Sequence, residues 1–164
     1  MSTATTRRLF GTDGIRAIAG EPPLDPQTVY AAGVALGHSL RRTSDAPRVL
    51  LGRDTRESGP WIAATVAAGL REVGVLVESA GVVPTPAIAY LVRRHGFQAG
   101  VVISASHNPW RDNGIKLFGG DGYKLPDAVE LAMEEEILHH AGQVTAPDPG
   151  SLAPVPDNDS FRAD

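Results

Sequence analysis

Ser106 is the side chain in this sequence best placed to act as a nucleophile. It lies in Val101-Val102-Ile103-Ser104-Ala105-Ser106-His107-Asn108-Pro109. There an apolar run, Gly100 to Ile103, reads as a buried strand and stops at small polar residues before the turn signal Asn108-Pro109. A strand that ends this way lifts a hydroxyl to the rim of a sheet, and open α/β sheets bind ligands at that rim. Chemistry there would need the hydroxyl, a proton acceptor and groups that hold charge. The serine-hydrolase reading is disfavoured: Ser106 is flanked by Ala105 and His107, so there is no G-x-S-x-G elbow. His107, as the adjacent residue, is poorly placed to take the serine proton. His38 and His95 fall in helical patterns and His139-His140 at a helix end, which suits surface or core histidines better than bases. Neither G-x-x-x-x-G-K-[ST] nor G-x-G-x-x-G occurs, which disfavours a nucleotide-binding fold. Local chemistry thus leaves Ser106 open between a nucleophile and an ordinary loop serine.

The elements that must position it follow from apolar spacing and punctuation. Asp25-Pro26 opens a helix, Asp as cap and Pro at the first helical position, with Val29, Ala32, Gly33, Leu36 and Leu40 on one face. Arg48 to Leu51 is a short apolar strand. The loop Gly52-Arg53-Asp54-Thr55-Arg56-Glu57-Ser58-Gly59 leads from it into a helix marked by Ile62, Val66, Leu70 and Val73. A strand-to-helix loop carrying two arginines is either an anion site or a solvated polar loop. Val75 to Glu78 is the next strand, Thr85-Pro86 opens a third helix, and Gly96 ends it. Asn113-Gly114 reads as a hairpin-type turn before Ile115-Lys116-Leu117-Phe118, and Pro126 opens a last helix with Val129, Met133 and Ile137. The alternation predicts an α/β fold, a three-layer α/β/α sandwich with a mainly parallel mixed sheet. One domain is expected over residues 1–142, its first six residues frayed. Residues 143–164, with four prolines from Pro147 to Pro156, read as a linker or disordered tail.

Composition narrows the function classes. The formal net charge of −4 gives no general reason to expect nucleic acid or an anionic membrane as partner. Cysteine is absent, which excludes disulfides, thiolate metal sites and cysteine nucleophiles. The N-terminus lacks an apolar signal region and no run reaches the length of a membrane span, so a cytoplasmic protein is expected. Fifteen basic residues include only two lysines, Lys116 and Lys124, so a lysine close behind the serine loop stands out.

Five motifs in order carry a resemblance. Phe10-Gly11-Thr12-Asp13-Gly14-Ile15-Arg16, Gly52-Arg53-Asp54-Thr55-Arg56, Pro84-Thr85-Pro86, Ile103-Ser104-Ala105-Ser106-His107-Asn108-Pro109 and Asp112-Asn113-Gly114-Ile115-Lys116 together resemble the first domain of the α-D-phosphohexomutases. The match runs from about Leu9 to Ile137, and its wording is most similar to the bacterial phosphoglucosamine mutases. One departure is Ala17, where that subfamily often has glycine.

The resemblance implies a mutase that interconverts glucosamine 6-phosphate and glucosamine 1-phosphate for cell-wall precursor synthesis. The serine matching Ser106 would carry a phosphoryl group and pass it through a glucose or glucosamine 1,6-bisphosphate. Mg²⁺ would sit against the phosphate on Ser106. Lys116 is the implied general acid/base, with His107 and Asn108 beside the site. Arg16 and Arg53 would hold phosphate oxygens or orient the loop. The partner would be a phosphosugar, with neither nucleic acid nor membrane. The family's aspartate-rich metal loop, sugar-recognition loop and C-terminal phosphate loop have no counterpart here. The chain is therefore expected to be a first-domain fragment, inactive alone and prone to self-association through the surface facing the missing domains. The alternatives are the first domain of a phosphomannomutase/phosphoglucomutase, or a truncated non-catalytic interaction module.

Overall fold

The computed structural model describes residues 8–164, so the expected fraying of residues 1–6 lies outside the described residues. Five strands form one sheet: β1 (Ile15–Ile18), β2 (Arg48–Arg53), β3 (Leu76–Val82), β4 (Ala99–Ile103) and β5 (Asp112–Gly119), in spatial order β1-β5-β4-β2-β3. β2 pairs in parallel with β3 and with β4, while β5 pairs antiparallel with β4 and with β1. Four helices flank the sheet: α1 (Pro26–Arg41), α2 (Gly59–Glu72), α3 (Thr85–His95) and α4 (Asp127–His140). The expected three-layer sandwich with a mixed sheet is what the chain forms.

Side chains of successive strand residues point to opposite faces, and the core divides accordingly. Val49, Leu51, Val101, Ile103, Ile115 and Leu117 pack under α1, α2 and α4. Leu50 and Val102 face the other way, under Ile88, Leu91 and Val92 of α3. That second face is covered by one helix, and the same alternation puts Arg16 of β1 and Lys116 of β5 on the opposite side from Ile15, Ile115 and Leu117. Two cations thus occur where a helix would otherwise cover the sheet.

The helix starts expected from Asp25-Pro26 and Thr85-Pro86 are found, with Asp25 Oδ2 accepting from the Thr28 N–H at 3.3 Å. Two expectations are corrected. Asn113-Gly114 is not a turn but lies inside β5, with Gly114 opposite Arg16. A side chain at Gly114 would bring its Cβ to 2.7 Å from the Ser104 carbonyl and 2.9 Å from that of Ile15. Glycine is required here by the close approach of two neighbouring strands, not by a turn.

The second correction is the tail. Residues 143–164 do not run free: Asp157 bridges to Ser79 of β3, the Asn158 N–H donates to the Ser79 carbonyl at 2.7 Å, and Phe161 is buried against Phe97. Short 3₁₀ turns at Pro149–Ser151 and Asp159–Ala163 satisfy part of its backbone. Low apolar content misread this segment because a single phenylalanine and a few polar contacts anchor it. Among the described residues no helix is long and apolar enough to cross a membrane.

Candidate active site

The site is built at the β4–β5 connection. Ser104 through Arg111 link the two strands, and the loop folds on itself: the Asn108 N–H donates to the Ala105 carbonyl at 3.1 Å and the Asp112 N–H to that of Pro109 at 3.0 Å. Ser106 has φ +54°, in the left-handed region, and is the only non-glycine described residue with positive φ. Holding a non-glycine residue there costs about 1–3 kcal/mol and needs surroundings that over-determine it. The Ser106 N–H is met by Ser104 Oγ at 3.2 Å.

The strained turn sets the hydroxyl beside Lys116 and Arg16, on the same side of the sheet as α3. Lys116 Nζ donates to Ser106 Oγ at 3.0 Å, and Arg16 donates to the same oxygen at 3.4 Å. Arg16 also meets Asp13 at 3.6 Å. Its Nε is buried and has no acceptor among the described residues. A buried donor without a partner costs energy unless something fills the place, and it lies on the guanidinium that already touches Ser106.

The segment carrying Arg16 is itself held by a buried carboxylate. Glu134 of α4 accepts the backbone N–H groups of Arg8, Leu9 and Phe10 at 2.5, 2.9 and 3.1 Å. Gly14 follows with φ +85°, and a Cβ there would lie 2.1 Å from the Ile115 carbonyl. This segment can therefore lie directly across β5, which brings Arg16 beside Lys116.

Of the residues expected at the site, Ser106, Lys116 and Arg16 come together. His107 is exposed on the loop next to Ser106. The Asn108 side chain turns inward and donates to Asp112 at 3.3 Å. Arg53 is engaged elsewhere, in a two-point pair with Asp157 at 3.0 and 3.3 Å. That pair, foremost its hydrogen bond, holds the Asp157 carboxyl below the ordinary 3.8. Of the other histidines, His38 pairs with Glu136 and His95 with Asp164.

Arg56 stood out in the sequence as the second arginine of a polar loop and the last residue of the Gly52–Arg56 motif, with no role of its own. In the structure its side chain is 10% exposed and reaches under the serine loop. Glu134 gave no sequence signal, since one acidic residue on a helix rich in them is indistinguishable from its neighbours.

One cleft lies beside Lys116 and a second lies against the serine loop. The first, of about 120 Å³, is lined by Thr12, Asp13, Gly14, Phe118 and both lysines, Lys116 and Lys124. The other, of about 560 Å³, is lined by Asp54, Arg56, Glu57, Ser106, Asn108 and Trp110. Among the described residues no group of three or more histidines and carboxylates could hold a metal ion. The residues present do not by themselves fit a magnesium site.

A family model described as phosphoglucomutase/phosphomannomutase, alpha/beta/alpha domain I, matches residues 7–143. A phosphoglucosamine mutase of Koribacter versatilis is 52% identical over 160 residues, 96% of this chain and 35% of the relative. One from Solibacter usitatus is 56% identical over 144 residues, 88% of this chain and 32% of the relative. A solved phosphoglucomutase/phosphomannomutase family protein from Burkholderia thailandensis superposes with a TM-score of 0.68 at 28% identity, over 80% of this chain and 30% of its own. The chain thus spans about a third of the length of the curated relatives it matches.

Proposed function

The chain belongs to the phosphoglucomutase/phosphomannomutase family, as its α/β/α domain I, and from that premise we propose that Ser106 is a phosphoryl carrier in a phosphoglucosamine mutase. One observation carries the reading. A serine hydroxyl in a strained left-handed turn lies between Lys116 Nζ at 3.0 Å and Arg16 at 3.4 Å, beside a buried Arg16 Nε that lacks an acceptor. Phosphate on Oγ would bring about −1.5 to −2 charge and three acceptor oxygens. It would give the buried Nε its acceptor and set two cations against the charge.

In the transfer, the bond between Ser106 Oγ and phosphorus breaks as a sugar hydroxyl oxygen bonds to phosphorus. The hydroxyl gives up a proton, and Oγ gains one. Lys116, in contact with Oγ, is the group placed to carry that proton between them. The reverse transfer, from the other phosphate of a hexose 1,6-bisphosphate, restores phosphoserine. Such chemistry depends on positioning and charge neutralisation more than on covalent activation, and this site supplies both. Arg53, tied to Asp157, supports the site from outside rather than holding phosphate, and His107 and Asn108 are neighbours on the loop. The names of the relatives favour the amino sugar over glucose or mannose as substrate.

The test is incubation of the chain with glucose 1,6-bisphosphate, followed by intact mass and phosphopeptide mapping. One phosphate is expected on Ser106 and none in Ser106→Ala. Phosphate at another residue, retained in Ser106→Ala, would overturn the reading. Turnover of glucosamine 6-phosphate by the chain alone is not expected.

A further inference from the structure

Arginine has five N–H donors in one plane, and in Arg56 each has its own acceptor. Nε donates to Asp54 Oδ2 at 3.0 Å. One terminal nitrogen donates to the carbonyls of Pro109 at 2.6 Å and Asp112 at 3.2 Å. The other donates to the carbonyls of Ser106 and Asn108, both at 3.0 Å. Asp54 is itself fixed, since its other oxygen accepts the Arg56 N–H at 3.1 Å. Four of the five acceptors are backbone carbonyls of one turn, residues 106–112, and one belongs to Ser106.

We infer that Arg56 is the positioning residue that holds Ser106 in its left-handed conformation and so keeps Oγ between Lys116 and Arg16. This rests on the reading of Ser106 as phosphoryl carrier. It also separates two arginines by chemistry. Arg16 keeps a buried donor without an acceptor among the described residues and faces the phosphate; Arg56 has no donor left for phosphate and acts on the backbone beneath it. The Ser106 carbonyl is half of what sets that residue's backbone direction, and it accepts from a charged donor whose side chain is itself largely buried. Charge-assisted bonds of this kind are about twice as strong as neutral ones. A lysine could not substitute: it offers three donors from a single point, not five along a planar fork.

Arg56→Lys and Arg56→Ala test the inference in the 164-residue chain, with thermal midpoints and circular dichroism to normalise for folded protein. With glucose 1,6-bisphosphate as donor, phosphate uptake on Ser106 at saturating donor should fall about 100-fold in both, the scale of a misplacement near 1 Å. The half-saturating donor concentration should stay within about twofold, because every Arg56 N–H is already taken by Asp54 or the loop carbonyls. Guanidinium ion should restore part of the rate in Arg56→Ala and none in Arg56→Lys, whose side chain still fills the pocket. In NMR spectra, the Ser106 Cα and Cβ shifts should leave left-handed values in both variants while those of the core strands stay put.

An Arg56→Lys chain that takes up phosphate at the wild-type rate would overturn the inference. So would a raised half-saturation at unchanged maximal rate, which would make Arg56 a phosphate ligand. If the wild-type chain takes up no phosphate, it is the phosphoryl-carrier reading that falls. The NMR comparison then decides for Arg56 alone: altered Ser106 shifts support positioning, and unchanged shifts refute it.

Discussion

At the residue scale, the site is a division of labour among three arginines that composition cannot tell apart. Arg16 faces the hydroxyl, Arg56 grips the loop carbonyls, and Arg53 ties the adjoining segment to the tail through Asp157. The last pair has a pH signature. Arg53 holds the folded carboxyl of Asp157 below 3.8, so its contribution is present above that pH and is lost as pH falls through the depressed folded value. The pair is partly exposed, and its worth is about 1 kcal/mol or less. Asp157→Asn should therefore lower the thermal midpoint slightly near pH 7. The difference from wild type should close as the solution is acidified below the ordinary carboxylate pKa. A gap that widens in acid would show that another group is responsible.

At the element scale, two loops at the ends of neighbouring parallel strands meet, and the meeting makes the site. β2 delivers residues 53–56 beside the turn that follows β4, because Arg53 and Ile103 are paired in the sheet. The Asp54 N–H continues that ladder to the Ile103 carbonyl at 3.1 Å. β5 returns antiparallel and sets Lys116 opposite Val102, one residue short of the turn. Gly114 is the element-level requirement for this packing, since its neighbours at 2.7 and 2.9 Å are backbone carbonyls that cannot swing aside. Gly114→Ala should destabilise the chain by about 1–3 kcal/mol in urea unfolding, the usual cost of overpacking. It should also weaken the contact of Arg16 with Ser106, because Arg16 Cγ is the third atom in the way, at 3.1 Å. An unfolding midpoint equal to that of wild type would refute the close-approach account.

At the scale of the whole molecule, the tail closes the sandwich. On the second face α3 and the ring of Phe161 pack with Leu50, Ala80 and Val102. Phe161 meets Phe97 and His95 edge-on at 6.0 and 5.2 Å. His95 in turn pairs with Asp164, whose carboxyl is held below its ordinary value mainly by that hydrogen bond. Phe161→Ala should cost about 1.5–3 kcal/mol in chemical denaturation, the value of burying one large apolar side chain. A free linker would lose nothing, so an unchanged midpoint would restore the reading of residues 143–164 as unattached.

The sequence by itself determined the layered α/β plan, the helix starts at Asp25-Pro26 and Thr85-Pro86, and the place of Ser106 at a strand end. Those are local matters of apolar period, capping chemistry and punctuation, written in contiguous residues. The motif order likewise marked Arg16 and Lys116 as companions of the serine before any contact was visible. Only the tertiary structure decided that Asn113-Gly114 is strand rather than turn. It alone separated Arg56 from Arg53 and showed that Glu134 clamps a segment more than a hundred residues away. Most of the deciding atoms are backbone carbonyls or N–H groups brought close by tertiary packing, and these are chemically identical at every position along the chain. A side-chain pattern can say what a residue offers. Which of those common acceptors will surround it is fixed only when the sheet closes.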